Sequence, residues 1–225
     1  MIILNIETST DACSAAIVED GAVLTDATGA PLRHLHPSGS EHSRELALMI
    51  QDLLSRLPQP QRIEGVAVSE GPGSYTGLRI GASVAKGIAY GMGVPLYAAS
   101  TLRSMAAQVA QTVKDAMLCP MIDARRMEVY SAVYSPGLEE VVPVEATVVD
   151  EHSFADLLSK GKVCFFGNGA DKCKAVLRSP NAVFVDGIVP DAAWMSIPAE
   201  PVDLAYWEPF YLKEYQAKKS TNIIK

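Results

Sequence analysis

Residues 69–91 read SEGPGSYTGLRIGASVAKGIAYG: a strand runs into three glycines and then into a helix in which small residues recur every four positions. Gly71, Gly73 and Gly77 let the backbone bend sharply and bring several N–H groups to a helix N-terminus, a place where anions bind. The spacing is GxGxxxG, not the GxGxxG of dinucleotide folds, and it lacks the GK[ST] ending of a P-loop. A structural turn and an anion site therefore both stand as readings, with Gly71, Gly73 and Ser74 as the loop residues. The helix carries Gly77, Gly81, Ala85 and Ala89, with Ala82 and Ile88 alongside. Another helix can approach such a face closely, either within the chain or from a second subunit.

The rest of the chain supplies an α/β setting. Residues 2–6 form an apolar run of the buried-strand type, and residues 13–20 alternate as a second strand. Gly21 turns the chain into AVLTDAT, a third, so the start reads as an antiparallel meander. Leu46, Met49, Ile50, Leu53, Leu54 and Leu57 have the 3-4-3 spacing of an amphipathic helix over 41–57, which Pro58 ends. Strands follow at RIEGVAVSE and VPLYAAS. Ser100 or Thr101 caps a helix with Leu102, Met105, Ala106, Val109 and Val113 on one face. Beyond it AMLCPMIDA, MEVYSAVYS and residues 141–149 read as strands, HSFADLLSKG as a helix, KVCFFGNGA as strand and turn, DKCKAVLRS as a helix and NAVFVDG as a strand. The second half echoes the order of the first without repeating its sequence, and the boundary is drawn as 1–100 and 101–225.

Charge and cysteine usage narrow the functional class. A formal charge of -7 over 225 residues works against nonspecific attraction to nucleic acid or anionic lipid. The local exception is the C-terminal stretch, where Lys213, Lys218, Lys219 and Lys225 outnumber Glu214. Cys13, Cys119, Cys164 and Cys173 form no CxxC pair and no disulfide framework, which suits a reducing compartment. With no signal-peptide pattern at the start and no run long enough to span a membrane, the expectation is a cytoplasmic protein.

Three further groups carry candidate chemistry. Glu7, Thr8, Ser9 and Thr10 sit where the first strand turns, a place at which phosphate-handling folds use a carboxylate and hydroxyls; turn chemistry explains them equally. His34, His36 and His42 lie close in sequence, but no matching carboxylate or cysteine set accompanies them, so loop residues are the plainer reading. DARRMEVY joins two strands with a carboxylate and paired arginines, a ligand contact or merely a charged junction.

Taken together, ILNIETST, EHSRELALMIQDLL, GPGSYTGLRIG, KGIAYG and DARRMEVY resemble the bacterial TsaB family, also called YeaZ. The resemblance covers most of the first half and enters the second. It implies an actin-like fold of the acetate and sugar kinase, Hsp70 and actin superfamily (ASKHA), ribonuclease H-like, with two related subdomains. It also implies a part in making N6-threonylcarbamoyladenosine at position 37 of transfer RNA. In that family the chain is a noncatalytic paralogue of TsaD, with which it forms a heterodimer; the ATPase TsaE joins the assembly, and a homodimer forms when TsaD is absent. Transfer RNA is met only through the complex.

The metal-bearing transferase has a HxxxH pair just after its fifth strand. The matching positions here are Thr101 and Met105, neither a replacement for an imidazole ligand, so the metal is expected in TsaD and no cofactor in this chain. The family interface carries over onto Leu46, Met49, Ile50 and Leu53 of one helix and Gly77, Gly81, Val84, Ala85 and Ile88 of the next. FGNGA resembles the turn that touches adenosine in active relatives, so Gly167 and Gly169 join Thr8, Ser9, Gly71, Gly73 and Ser74 as nucleotide-loop candidates for weak ATP or ADP binding. Two departures bear on this, Glu7 where Asp is common and Tyr75 where Phe is frequent. The competing expectation is a small-molecule kinase or phosphotransferase of the same superfamily, using Glu7 and Asp123 as carboxylates.

Overall fold

The structure, a computed structural model, describes residues 1–38 and 42–213, with only the backbone of residues 42 and 43. Glu41, the His42 side chain, Glu214, Lys218, Lys219 and Lys225 lie outside the described residues.

In the first sheet β1 (Ile2–Glu7) is central. It runs antiparallel to β2 (Cys13–Glu19) on one side and parallel to β5 (Gly65–Gly71) on the other, and β6 (Leu96–Ser100) extends the parallel side. The far edge of β2 is shared by two short pieces, β3 (Ala22–Val23) and β4 (Arg33–His36). The expected third strand is thus cut to two residues. Asp26 turns the chain out, its Oδ1 accepting the N–H groups of Thr28 (2.8 Å) and Ala30 (3.0 Å), and the segment returns as β4. β4 puts His34 and His36 on α1 (His42–Arg56), against Asp52 (2.7 Å) and Glu45 (2.9 Å) respectively.

The second sheet repeats this order. β7 (Met117–Asp123) is central, β8 (Glu128–Tyr134) and β9 (Glu140–Val148) lie antiparallel on one side, and β10 (Val163–Phe166) and β11 (Ala182–Val185) lie parallel on the other. This is the α/β actin-like arrangement, two ribonuclease H-like subdomains of one topology.

Helices cover the sheets where apolar stripes require it. α1 and α2 (Tyr75–Met92) bury Leu46, Leu53, Ala85 and Ala89 against Leu4, Ile6 and Ile17. α3 (Thr101–Val109) buries Leu102, Met105 and Ala106 against Leu118 and Phe166. α3 stops at Val109, whose carbonyl accepts from Thr112 Oγ1 (3.3 Å). α4 (Ala155–Lys160) and the loop after β10 cover the opposite face with Leu158 and Leu177. The helix expected over DKCKAVLRS is only a 3-10 turn at Asp171–Cys173, after which the chain runs as turn and loop with Cys173 and Leu177 buried in the core.

Residues after 187 return to the first sheet. Asn5 Nδ2 donates to the Ala192 carbonyl (2.8 Å), and the Ala192 N–H donates to Ser14 Oγ (2.8 Å). The Val202 N–H donates to the Leu96 carbonyl (2.8 Å) on the β6 edge, and the Phe210 N–H to the Glu70 carbonyl (2.7 Å). Ala192 and Met195 thereby cover the face of the sheet opposite α1 and α2.

Candidate functional site

The first glycine turn is filled by the chain itself. The Ser74 N–H donates to the Ser9 carbonyl (2.6 Å), and Thr8 Oγ1 donates to the Gly77 carbonyl (2.8 Å). A Cβ added at Gly73 would stand 2.8 Å from Ser9 Cβ, one at Gly77 would overlap the Thr8 carbonyl, and one at Gly81 would overlap Thr8 Oγ1. The row of glycines is therefore a notch for the turn after β1. Ser74 caps α2, its Oγ accepting from the Gly77 N–H (3.3 Å). Gly71, at φ 108°, has the left-handed backbone that glycine alone adopts easily, and the Phe210 carbonyl lies over it.

The second glycine turn has the same logic. Gly167 (φ 100°) packs on the Met121 carbonyl and Met105 Cε, while Gly169 sits on the Ile122–Asp123 backbone and donates its N–H to Met121 (3.0 Å). Each glycine turn thus closes on the end of the central strand of its own half. Thr101 and Met105 are fully buried. Among the described residues no cluster of histidine, cysteine or carboxylate side chains has the arrangement to hold a metal ion.

The structure buries most of the residues carried over as the helix-pair surface. Of the nine carried-over interface residues, Leu46, Met49, Ile50, Leu53, Gly77, Gly81 and Ala85 are buried inside this chain, and only Val84 and Ile88 are partly exposed. The core of the first sheet and the turn after β1 pack on these seven. Leu54 of α1 and Ile80, Val84 and Ile88 of α2 are partly buried and pack on the same core, and Gly87 on the outer side of α2 has open space at its Cβ position. Ile80 and Gly87 were not among the carried-over positions, and Leu54 was read only as part of the α1 stripe. The signal available was the step from Ile80 to Val84 to Ile88, an i, i+4, i+8 row beside the glycine row.

A model of the family described as TsaD, tRNA N6-adenosine threonylcarbamoyltransferase, matches residues 36–190. The tRNA threonylcarbamoyladenosine biosynthesis protein TsaB of Escherichia coli (strain K12) is 31% identical over 97% of this chain and 97% of its own length. The chain belongs to the TsaB (YeaZ) family. Two Pseudomonas aeruginosa structures agree in fold. YeaZ superposes with a TM-score of 0.66 at 25% identity, covering 85% of this chain and 87% of its own. A protein described as similar to peptidase YeaZ reaches 0.76 at 24% identity, covering 94% and 99%.

In this TsaB-family chain the carboxylates of a phosphotransferase are not free. Asp123 is paired with Lys172 and accepts the Arg125 N–H (2.9 Å). Glu7 is fully buried, its Oε1 accepting the Ser9 N–H (2.7 Å), and Oε2 has no partner. The four cysteines are free thiols, all buried; burial pushes Cys13 up to about 12 and Cys164 up to about 11, so neither supplies a thiolate nucleophile.

Burial raises the Glu7 carboxyl above its ordinary 4.5, with Asp191 adding to the effect and hydrogen bonds from Ser9 and Ser69 opposing it. The folded state of the TsaB-family chain therefore holds a proton that the unfolded chain releases. Stability from this group is complete below pH 4.5 and declines as pH rises toward the raised folded value, by up to about 1.4 kcal/mol per pH unit. Glu7→Gln removes that decline. In urea melts at pH 4, 6 and 8, the variant should stand better relative to wild type above pH 4.5 than at pH 4; a pH-independent difference would contradict a raised Glu7 carboxyl.

Proposed function

We propose that this chain is a noncatalytic docking subunit for TsaD in the synthesis of N6-threonylcarbamoyladenosine in transfer RNA, and that it works in the cytoplasm. The observation that carries the reading is a contrast. Thr8 and Ser9 pack into the first glycine turn and Met105 onto the second, whereas Ile80, Val84 and Ile88 form an apolar row along α2 that stays partly exposed. An ordinary specific interface buries about 800 Å² per partner, an area two facing helix pairs can supply. On this reading the metal belongs to TsaD, this chain carries no cofactor and binds ATP or ADP weakly at most, TsaE joins the assembled pair, and the α1–α2 face pairs with itself when TsaD is absent.

Leu46→Glu or Gly81→Trp is a poor test, since each would break the core. Gly87→Trp is the suitable one, because the site is open and loss of glycine favours the helix. The variant should fold with an unchanged circular dichroism spectrum and lose about 100-fold or more in affinity for purified TsaD by calorimetry, the scale of a blocked interface centre. Wild-type affinity in a folded variant would reject this face as the docking surface.

A further inference from the structure

The turn between β7 and β8 uses its arginines in a way the docking role leaves unexplained. Arg125 and Arg126 take φ values of 75° and 50°, consecutive left-handed positions that glycine and asparagine ordinarily fill. The turn is held from inside. Asp123 Oδ1 accepts the Arg125 N–H (2.9 Å), the Glu128 N–H donates to the Arg125 carbonyl (3.0 Å), and Asn168 Oδ1 accepts the Asp123 N–H (2.9 Å). Both arginine side chains are exposed, and neither guanidinium has a hydrogen-bond or ion-pair partner among the described residues. No side-chain contact of theirs offsets the backbone conformation.

The surrounding charges sharpen the point. Lys172 pairs with Asp123 and Lys213 with Glu128, so the nearby carboxylates are already matched by lysines. What is left over is two guanidiniums on the tip of a ribbon, in a chain whose net charge is -7. Between residues 123 and 128 the exposed side chains are Asp123 and the two arginines, with no exposed apolar residue among them. A protein hot spot needs an apolar collar that excludes water; the turn itself supplies no exposed apolar side chain, and Val148, opposite Glu128 on β9, is the one exposed apolar neighbour in register with its base. Phosphodiester contacts work without a collar, through fork-shaped hydrogen bonding and counterion release.

We infer that Arg125 and Arg126 form a contact for the phosphate backbone of transfer RNA bound to the assembled complex. The inference rests on the docking role proposed above for its setting. The site carries no base specificity. It positions RNA beside the second glycine turn, at the end of the second sheet.

The test is fluorescence anisotropy of a labelled, unmodified transfer RNA transcript that reads codons beginning with A. The transcript is titrated with the TsaD complex and with the isolated chain across a salt series. Arg125→Gly with Arg126→Gly removes both charges and relaxes both left-handed residues, so the variant should fold at least as well as wild type. Expected is about tenfold weaker binding near 100 mM salt, a salt slope smaller by about one to two, and unchanged heterodimer formation by gel filtration. Arg125→Lys with Arg126→Lys should keep most of the slope. Unchanged affinity and slope would overturn the inference, as would loss of heterodimer with the glycine variant, which would make the turn a protein contact. If wild type fails to join TsaD, the docking role falls and the isolated chain at low salt decides the arginines. Absence of RNA binding in every arm also overturns them.

Discussion

Gly77→Ala is expected to cost this protein at least about 3 kcal/mol, although alanine is the better helix former by about 1 kcal/mol. The new Cβ would overlap the Thr8 carbonyl, a backbone atom at the end of the central strand of the first sheet. No flexible side chain stands there to give way. Separating α2 from the turn would also lose the bond from Thr8 Oγ1 to the Gly77 carbonyl (2.8 Å) and the Ser74–Ser9 bond (2.6 Å). For a chain of this size the melting temperature should fall by about 6 °C or more. Gly87→Ala in the same helix meets nothing within 4 Å and should instead stabilise by about 0.5–1 kcal/mol. Equal melting temperatures for the two variants would reject the notch.

The second large effect concerns the Arg33–Asp191 pair. Asp191 is 0% exposed at its side chain and accepts the Ala193 N–H (3.0 Å) as well as Arg33 Nε (3.2 Å). Arg33 is on the β4 edge, so the pair fastens the returning C-terminal segment to the first sheet. Removing the cation alone leaves a buried carboxylate near Glu7, and such half-broken pairs typically lose about 3–5 kcal/mol. Arg33→Ala should therefore shift the urea midpoint down strongly, and adding Asp191→Asn should restore much of the loss. A double variant no better than Arg33→Ala would mean that packing, not the orphaned charge, sets the cost.

Most of the strand and helix order was legible because the residues that decide it are apolar and periodic. Residues 2–6 and 13–20 became β1 and β2 nearly unchanged, and the Leu46 to Leu57 stripe became α1. β4 was missed because RHLH offers almost no apolar alternation; its histidines are held by Asp52 and Glu45 across the edge, a relation no local pattern carries. DKCKAVLRS misled in the opposite way, since Cys173, Val176 and Leu177 have helical spacing but pack on the second sheet from a 3-10 turn and loop. The harder limit concerns the interface residues. An amphipathic stripe announces that a face will be covered, and Leu46 and Gly81 were covered by their own sheet. Periodicity reports burial but does not say by whom. The glycine turns pose the same problem, for a notch that seats a neighbouring turn and a cradle that seats a phosphate require glycine for one reason, close backbone approach.

The segment after residue 187 sets an order for synthesis on the ribosome. β1 emerges first, yet Asn5 waits for Ala192, Leu96 for Val202 and Glu70 for Phe210. By then every strand of the second sheet has been translated. The N-terminal half thus passes through a nascent stage with one face of its sheet bare, for several seconds or more at about 5–20 residues per second. Chaperone demand during translation should fall on that face, and a premature stop near codon 187 should leave a polypeptide with all eleven strands of the described residues encoded but the first sheet open to aggregation.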